Sequence, residues 1–172
     1  MASIMEDFIE TLDKEDLAYR RLLEISKRKT PVIVKGDTGE LTRITEEEQK
    51  VVDEISHLDK HRIEVISDMA TVLNKDVQIL KIPYIIDILQ KQPVEAERLK
   101  AVYERLKVTV KDMKAVNEQN KRLIELSLDM VQFDISILQA AKNGPETGDY
   151  NRSGSYTDSG MIAGGPRFDS KS

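Results

Sequence analysis
The sequence predicts an all-α protein: an elongated antiparallel helical bundle or coiled coil of three long helices plus a short one, with a disordered C-terminal tail. Three observations predict it. Between Pro93 and Gly144 there is neither proline nor glycine, so nothing interrupts a helix of about 50 residues, roughly 75 Å long. Leu, Ile, Lys and Glu dominate a chain that is 33% charged and 5% aromatic, a composition that favours helices over sheet. Six of the eight glycines fall after Lys142 with few large apolar residues beside them, so that piece cannot offset its ordering entropy by burial. The division is therefore a helical domain over 1–142 and a flexible Gly-rich tail over 143–172.

The first helix spans Ile4 to Lys35, with Met5, Phe8, Leu12, Tyr19, Leu22 and Ile33 at helical spacing and Ile9 and Leu23 broadening the stripe. Pro31 lacks a donor and crowds the carbonyl of Lys27, which predicts a bend or a break before one apolar turn, Val32 to Val34. Gly36 supplies a residue for the helix end, and Asp37 can cap the next helix with Glu40 three residues on. Thr45 with Glu48 offers a second capping box, so the second helix starts at one of these two places. The short turn makes the first two helices an antiparallel pair.

The second helix runs to about Asn74 on Val52, Ile55, Ile66, Met69 and Leu73. Asp59 and Arg62 fall on that stripe, either paired or at its edge. Lys75 to Pro83 alternates like a strand but has no partner strand, so it reads as an extended connection. Tyr84 to Gln90 is a short apolar helix, a plug for one end of the bundle. Pro93, near the first helical position, opens the long helix.

With Leu99 at heptad position a, the seam of the long helix reads Leu99, Val102, Leu106, Thr109, Met113, Val116, Asn120, Leu123, Ser127, Met130, Asp134 and Ile137. Position e widens it with Tyr103, Val110, Ile124, Val131 and Leu138. In the first part, position b holds Lys100, Lys107, Lys114 and Lys121, and position g holds Arg105, Asp112 and Gln119. Past Arg122 the same positions become Leu126, Leu128, Phe133 and Ile135. A helix apolar nearly all round must be covered on two sides, and the chain lacks the material for that. Leu123, Leu126, Leu128, Met130, Phe133 and Ile137 are therefore the candidate partner-binding residues. The competing reading packs this stripe against the first helix and the short plug. Asn117 and Asn120 on the seam either fix register against the second helix or make a polar contact to a partner.

Chemistry is sparse. A net charge of −5 argues against general nucleic-acid binding, which needs clustered Lys and Arg. There is no cysteine, hence no disulfide or thiolate site. No apolar run approaches the ~18 residues of a membrane span, and the acidic N-terminus has no secretory signal; a cytoplasmic protein is expected. Glu54-Ile-Ser-His57 matches half of a di-iron motif but lacks its second copy. His57 and His61 stand four apart without the Glu of a zincin, so they read as surface histidines. Glu46-Glu47-Glu48 reads as favourable first-turn charge. With no phosphate loop, dinucleotide fingerprint or nucleophile elbow, the expectation is a non-enzyme with no catalytic residue, metal or cofactor.

The order of these features resembles a known family. Lys35-Gly36-Asp37 with Leu41, then Ile44-Thr-Glu-Glu-Glu-Gln49, the run Asn117-Glu-Gln-Asn-Lys-Arg-Leu-Ile-Glu-Leu-Ser-Leu128, and Tyr150-Asn-Arg-Ser-Gly154 together resemble flagellar type III export chaperones of the FlgN type over most of residues 1–154. Pro31 departs from that pattern. The resemblance implies a cytoplasmic chaperone that binds the C-terminal helical segments of hook–filament junction proteins and delivers them to the export gate. Tyr150 is the candidate gate contact, set against an ordinary exposed tyrosine. The alternatives are a chaperone for another flagellar client and a homodimeric coiled-coil scaffold, so a homo-oligomer is kept open.

Overall fold
A computed structural model describes residues 2–144. Helix α1 spans Ala2–Lys35, α2 Thr38–Leu73, α3 Ile82–Ile88 and α4 Pro93–Lys142. Single 3-10 turns at Val77–Ile79 and Leu89–Lys91 complete the described chain, which contains no strand among the described residues. The tail from Pro145 onward, with Tyr150, lies outside them. The chain divides into two compact units, Met1–Asp134 and Ile135–Ser172. In the second, the described residues continue the helix to Lys142 and are exposed.

Ion pairs give the helix directions within the first unit. Arg21 meets Glu54 at 2.5 Å and Arg28 meets Glu47 at 2.6 Å: seven residues forward on α1 is seven back on α2, so the two are antiparallel. Glu6 meets Arg98 at 2.7 Å and Asp13 meets Arg105 at 2.5 Å. Here seven forward on α1 is seven forward on α4, so those two are parallel. Exposed pairs of this kind contribute little to stability; the packing beneath them does the holding.

That packing forms two clusters along α1. The first joins Phe8, Ile9 and Leu12 of α1 to Val65 and Met69 of α2, Leu99, Val102 and Leu106 of α4, and Leu80, Ile85 and Leu89 of the connection. The short helix plugs this end as its apolar content predicts. Farther along, Ala18, Leu22 and Ile25 meet Ile44 and Val51 of α2 and Met113 of α4. Burying each such aliphatic side chain contributes roughly 1.5–3 kcal/mol.

The local signals explain the helix ends. Gly36 adopts φ +69°; its N–H donates to the Ile33 carbonyl at 3.1 Å, and the Asp37 N–H donates to Val32 at 3.3 Å. This pair of bonds is a Schellman closure. Asp37 then caps α2, its Oδ1 accepting from the Glu40 N–H at 3.0 Å. Of the two starts the sequence allows, α2 uses Asp37; Thr45 is inside the helix and donates to the Leu41 carbonyl at 2.8 Å. At the other end Asn74, φ 50°, takes the left-handed position, and the Lys75 N–H closes onto Ala70 at 3.0 Å.

Two expectations are corrected. Pro31 does not break α1, which is helical through to Lys35. A proline this close to the end removes one donor, and the Schellman bonds tie down the single turn that follows it. Lys75 to Pro83 is not extended throughout: the Asp76 side chain accepts from the Gln78 N–H at 2.9 Å and turns the chain into a 3-10 helix. Its alternating pattern reflects two inward residues, Leu80 and Ile82, not a strand.

Arg62 does pair with Asp59, and it also reaches across to buried Glu15, with Nε 3.0 Å from Oε1. That contact is an ion pair whose geometry falls short of a hydrogen bond. Burial pushes the Glu15 carboxyl above its usual range, and Arg62 only partly counters it. His61 lies beside Asp7 at 2.9 Å and Glu64 at 3.8 Å, and the Asp7 contact raises its pKa above the ordinary 6.5.

Two outcomes follow from these contacts. Asp37→Ala removes the α2 cap and lowers stability by about 1 kcal/mol, read from the midpoint of a denaturant melt. The raised pKa of His61 means the folded state favours its protonated form. The His61–Asp7 contribution is therefore full below pH 6.5 and is lost as pH rises through the folded value. A proton NMR titration places His61 above 6.5, and Asp7→Asn moves it back towards 6.5.

Candidate functional site
The surface at issue is built by α4, and its geometry starts from where that helix stops being buried. On α4 the buried side chains are Leu99, Val102, Leu106, Thr109, Met113 and Asn120, spaced as the heptad seam predicts. Asn120, only 3% exposed, is the last of them. Its Nδ2 donates to the Ser26 carbonyl at 2.8 Å, and its Oδ1 accepts from Thr30 Oγ1 at 2.6 Å. Asn117 lies nearer solvent, with Oδ1 3.5 Å from Ser26 Oγ and Nδ2 3.1 Å from Met113 Sδ. Both amides are therefore structural, and they hold register against α1 rather than α2. Ser26 also donates to Glu48 of α2 at 3.1 Å, and Glu48 takes Lys29 at 2.6 Å in a largely buried pair. This polar knot joins all three long helices of the unit.

Beyond the knot α1 ends at Lys35 while α4 runs on past it. The Glu6–Arg98 and Asp13–Arg105 pairs both lie 92 positions apart. Lys35, the last residue of α1, then has its counterpart at Ser127. Within the first unit, the residues from Leu128 to Asp134 lie past the level at which α1 turns into α2. Their exposure agrees: Leu126, Leu128, Met130, Val131 and Phe133 are between 55 and 68% exposed, against none of the apolar seam residues before Asn120. Within the first unit, the side chains of this stripe are thus largely outside the core.

The candidate residues thus separate. Leu126, Leu128, Met130 and Phe133 form an exposed apolar set within the first unit, to which Val131 is added. Its spacing had assigned Val131 to a widened seam, but no helix is level with it. Leu123 is half-buried and belongs partly to the core. Ile137 is exposed in the second unit, as are Ile135 and Leu138. The acids and bases interspersed from Lys121 to Asp134 are mixed in sign, so the surface is apolar without a strong field. Such a surface binds apolar side chains by burial, and the unbranched thioether of Met130 adapts to varied partners.

His57 is exposed and His61 is committed to Asp7. Among the described residues no group of three or more His, Cys, Asp or Glu is placed to hold a metal ion. No described helix is long and apolar enough to cross a membrane.

Comparison with known proteins bears on residues well beyond this surface. A family model described as FlgN protein matches residues 1–158. A Bacillus subtilis (strain 168) protein described as "Uncharacterized protein YvyG" is 27% identical over 136 residues, covering 78% of this chain and 81% of that protein. No solved structure matches the chain.

The two parts of α4 respond differently to substitution. Asn120→Ala removes its two bonds, to the Ser26 carbonyl and the half-buried Thr30 hydroxyl, and costs about 1–3 kcal/mol. Leu126→Asp puts a charge in solvent and changes stability by less than about 0.5 kcal/mol. Urea melts of both variants check this; a loss of several kcal/mol for Leu126→Asp would mean that the residue is packed.

Proposed function
The chain belongs to the FlgN family of flagellar export chaperones, and from that premise we propose that it holds the C-terminal helical segments of hook–filament junction proteins and delivers them to the export gate from the cytoplasm. What supports the reading is the exposed apolar set Leu126, Leu128, Met130 and Val131, carried on a helix that outlasts the helices packed against it. A monomeric soluble protein rarely keeps such a contiguous surface open unless it binds something. A client helix laid against α4 buries its own apolar stripe there, as helix-in-groove complexes do. Phe133 and Met130 supply the large side chains of the contact, with Leu123 and Ile137 at its margins.

The reading divides the labour along α4. The buried seam up to Asn120 packs on α1 and α2, and the exposed set from Leu126 is given to the client. A junction-protein segment is itself an amphipathic helix that would associate wrongly if left exposed, so covering it is the chaperone's work. Tyr150, carried over from the family resemblance, is the proposed contact with the gate; its test is secretion of the client by cells carrying Tyr150→Ala, which should fall.

The test is a titration of the full chain with a C-terminal peptide of a junction protein. Met130→Asp should keep the melting temperature and weaken binding by at least about tenfold, equivalent to about 1.4 kcal/mol. Asp112→Ala, midway along α4, should change neither. Unaltered peptide binding by Met130→Asp would remove α4's end as the client site. Light scattering that shows a dimer broken by Met130→Asp would give this surface to a second copy of the chain.

A further inference from the structure
A second surface of the first unit has the opposite character. Between α2, α3 and α4 lies a cleft of about 400 Å³. Its floor is apolar, made by Ile82, Tyr103, Leu106 and Val110. Its rim is basic: Arg62 from α2, and Lys107, Lys111 and Lys114 from α4. The rim lysines stand at i, i+4 and i+7, which places them along one side of α4 over about 10 Å.

The state of those cations is informative. Arg62 is committed to Glu15 and Asp59. Lys107 sits 3.5 Å from Glu104 and 5.1 Å from the Tyr103 ring centroid. Lys111 and Lys114, among the described residues, have no acidic partner. This is a chain of 31 acidic and 26 basic residues, so an unopposed basic edge runs against its own average. An apolar floor beside unpaired lysines fits a ligand with an apolar stripe flanked by carboxylates. A phosphate-bearing polymer would use the lysines and leave the floor empty.

We propose that this cleft is a docking site for an acidic amphipathic helix of another protein, whose apolar residues cover Ile82, Tyr103 and Val110 while its carboxylates pair with Lys111 and Lys114. The site is separate from the exposed end of α4 and does not rest on the client reading. Lys114 and Leu126 are about 18 Å apart along the helix, so both surfaces can be occupied at once. The partner's approach is steered by charge, and its affinity falls as salt rises.

The experiment uses the full chain and a labelled synthetic peptide of about 15 residues, long enough to form a helix, with leucines on one face and glutamates on the other. A twin peptide carries lysine in place of glutamate. Fluorescence anisotropy should show binding of the glutamate peptide that weakens with salt, and little binding of the twin. Lys111→Glu with Lys114→Glu should weaken it at least about tenfold, while Lys35→Glu, outside the cleft, should change it less than about twofold. Lys111→Ala with Lys114→Ala replaces the reversal if a thermal melt shows that the reversal unfolds the chain. Equal binding of both peptides, or indifference to both double variants, would overturn the proposal. So would anionic phosphatidylserine vesicles that bind with the same loss on reversal, which would make the ligand a membrane. Self-association abolished by the reversal would also overturn it, in favour of a second copy.

Discussion
The register between α1 and α4 is the constraint on which the rest depends. A heptad seam by itself tolerates sliding: Leu99, Leu106 and Met113 are near equivalents, and a seven-residue slip would exchange one for the next. Buried polar contacts remove that freedom. Thr109 donates to buried Asp16 at 2.7 Å, and Asn120 bonds to both Ser26 and Thr30. A slip in either direction breaks the Thr109–Asp16 bond and strips buried Asn120 of both of its bonds, the latter at about 1–3 kcal/mol. With register held there, α4's length decides how far it runs past the α1–α2 turn, and so how much apolar surface it presents.

This arrangement accounts for a sequence that changes character along one uninterrupted helix. Up to Asn120, α4 has the composition of a bundle helix, with one apolar stripe and charged flanks. After Arg122 the flanks turn apolar as α1 comes to its end. Membership of an export-chaperone family is what supports the proposal that this excess meets a client. The basic cleft lies on the earlier part of the same helix, so α4 carries two surfaces of different chemistry: one exposed and apolar, the other an apolar floor edged by lysines.

Much of the fold was legible because its signals are local. The unbroken run after Pro93, Gly36 with Asp37 at the first turn, and Asn74 at the end of α2 act within a few residues of themselves. Where the reading failed, the deciding contact was either a compensation or distant. Pro31 was tolerated because Gly36 and Asp37 close the turn after it. Asp76 curled a segment whose alternation suggested extension. Asn120 chose α1 instead of α2, which depends on an inter-helix offset that no local pattern records. At the site, exposure of Leu126, Leu128, Met130 and Phe133 followed from counting apolar faces, while the half-burial of Leu123 and the exposure of Val131 depended on where α1 ends. Lys107 and Lys114 looked like an ordinary solvated face, because the cleft beside them is made by Arg62 and Ile82 from elsewhere in the chain.

Native-state hydrogen exchange along α4 tests the central claim most directly. If register is held at Asn120 and the helix runs unsupported past the end of α1, amides from Leu99 to Asn120 exchange only by near-global unfolding. Those from Leu126 to Phe133 then exchange through much easier local opening, as short unpacked helical segments do in water. Adding a junction-protein peptide should slow exchange in Leu126–Phe133 specifically. Uniform protection across both stretches in the free protein would contradict the account, since it would mean that α4's end is already packed.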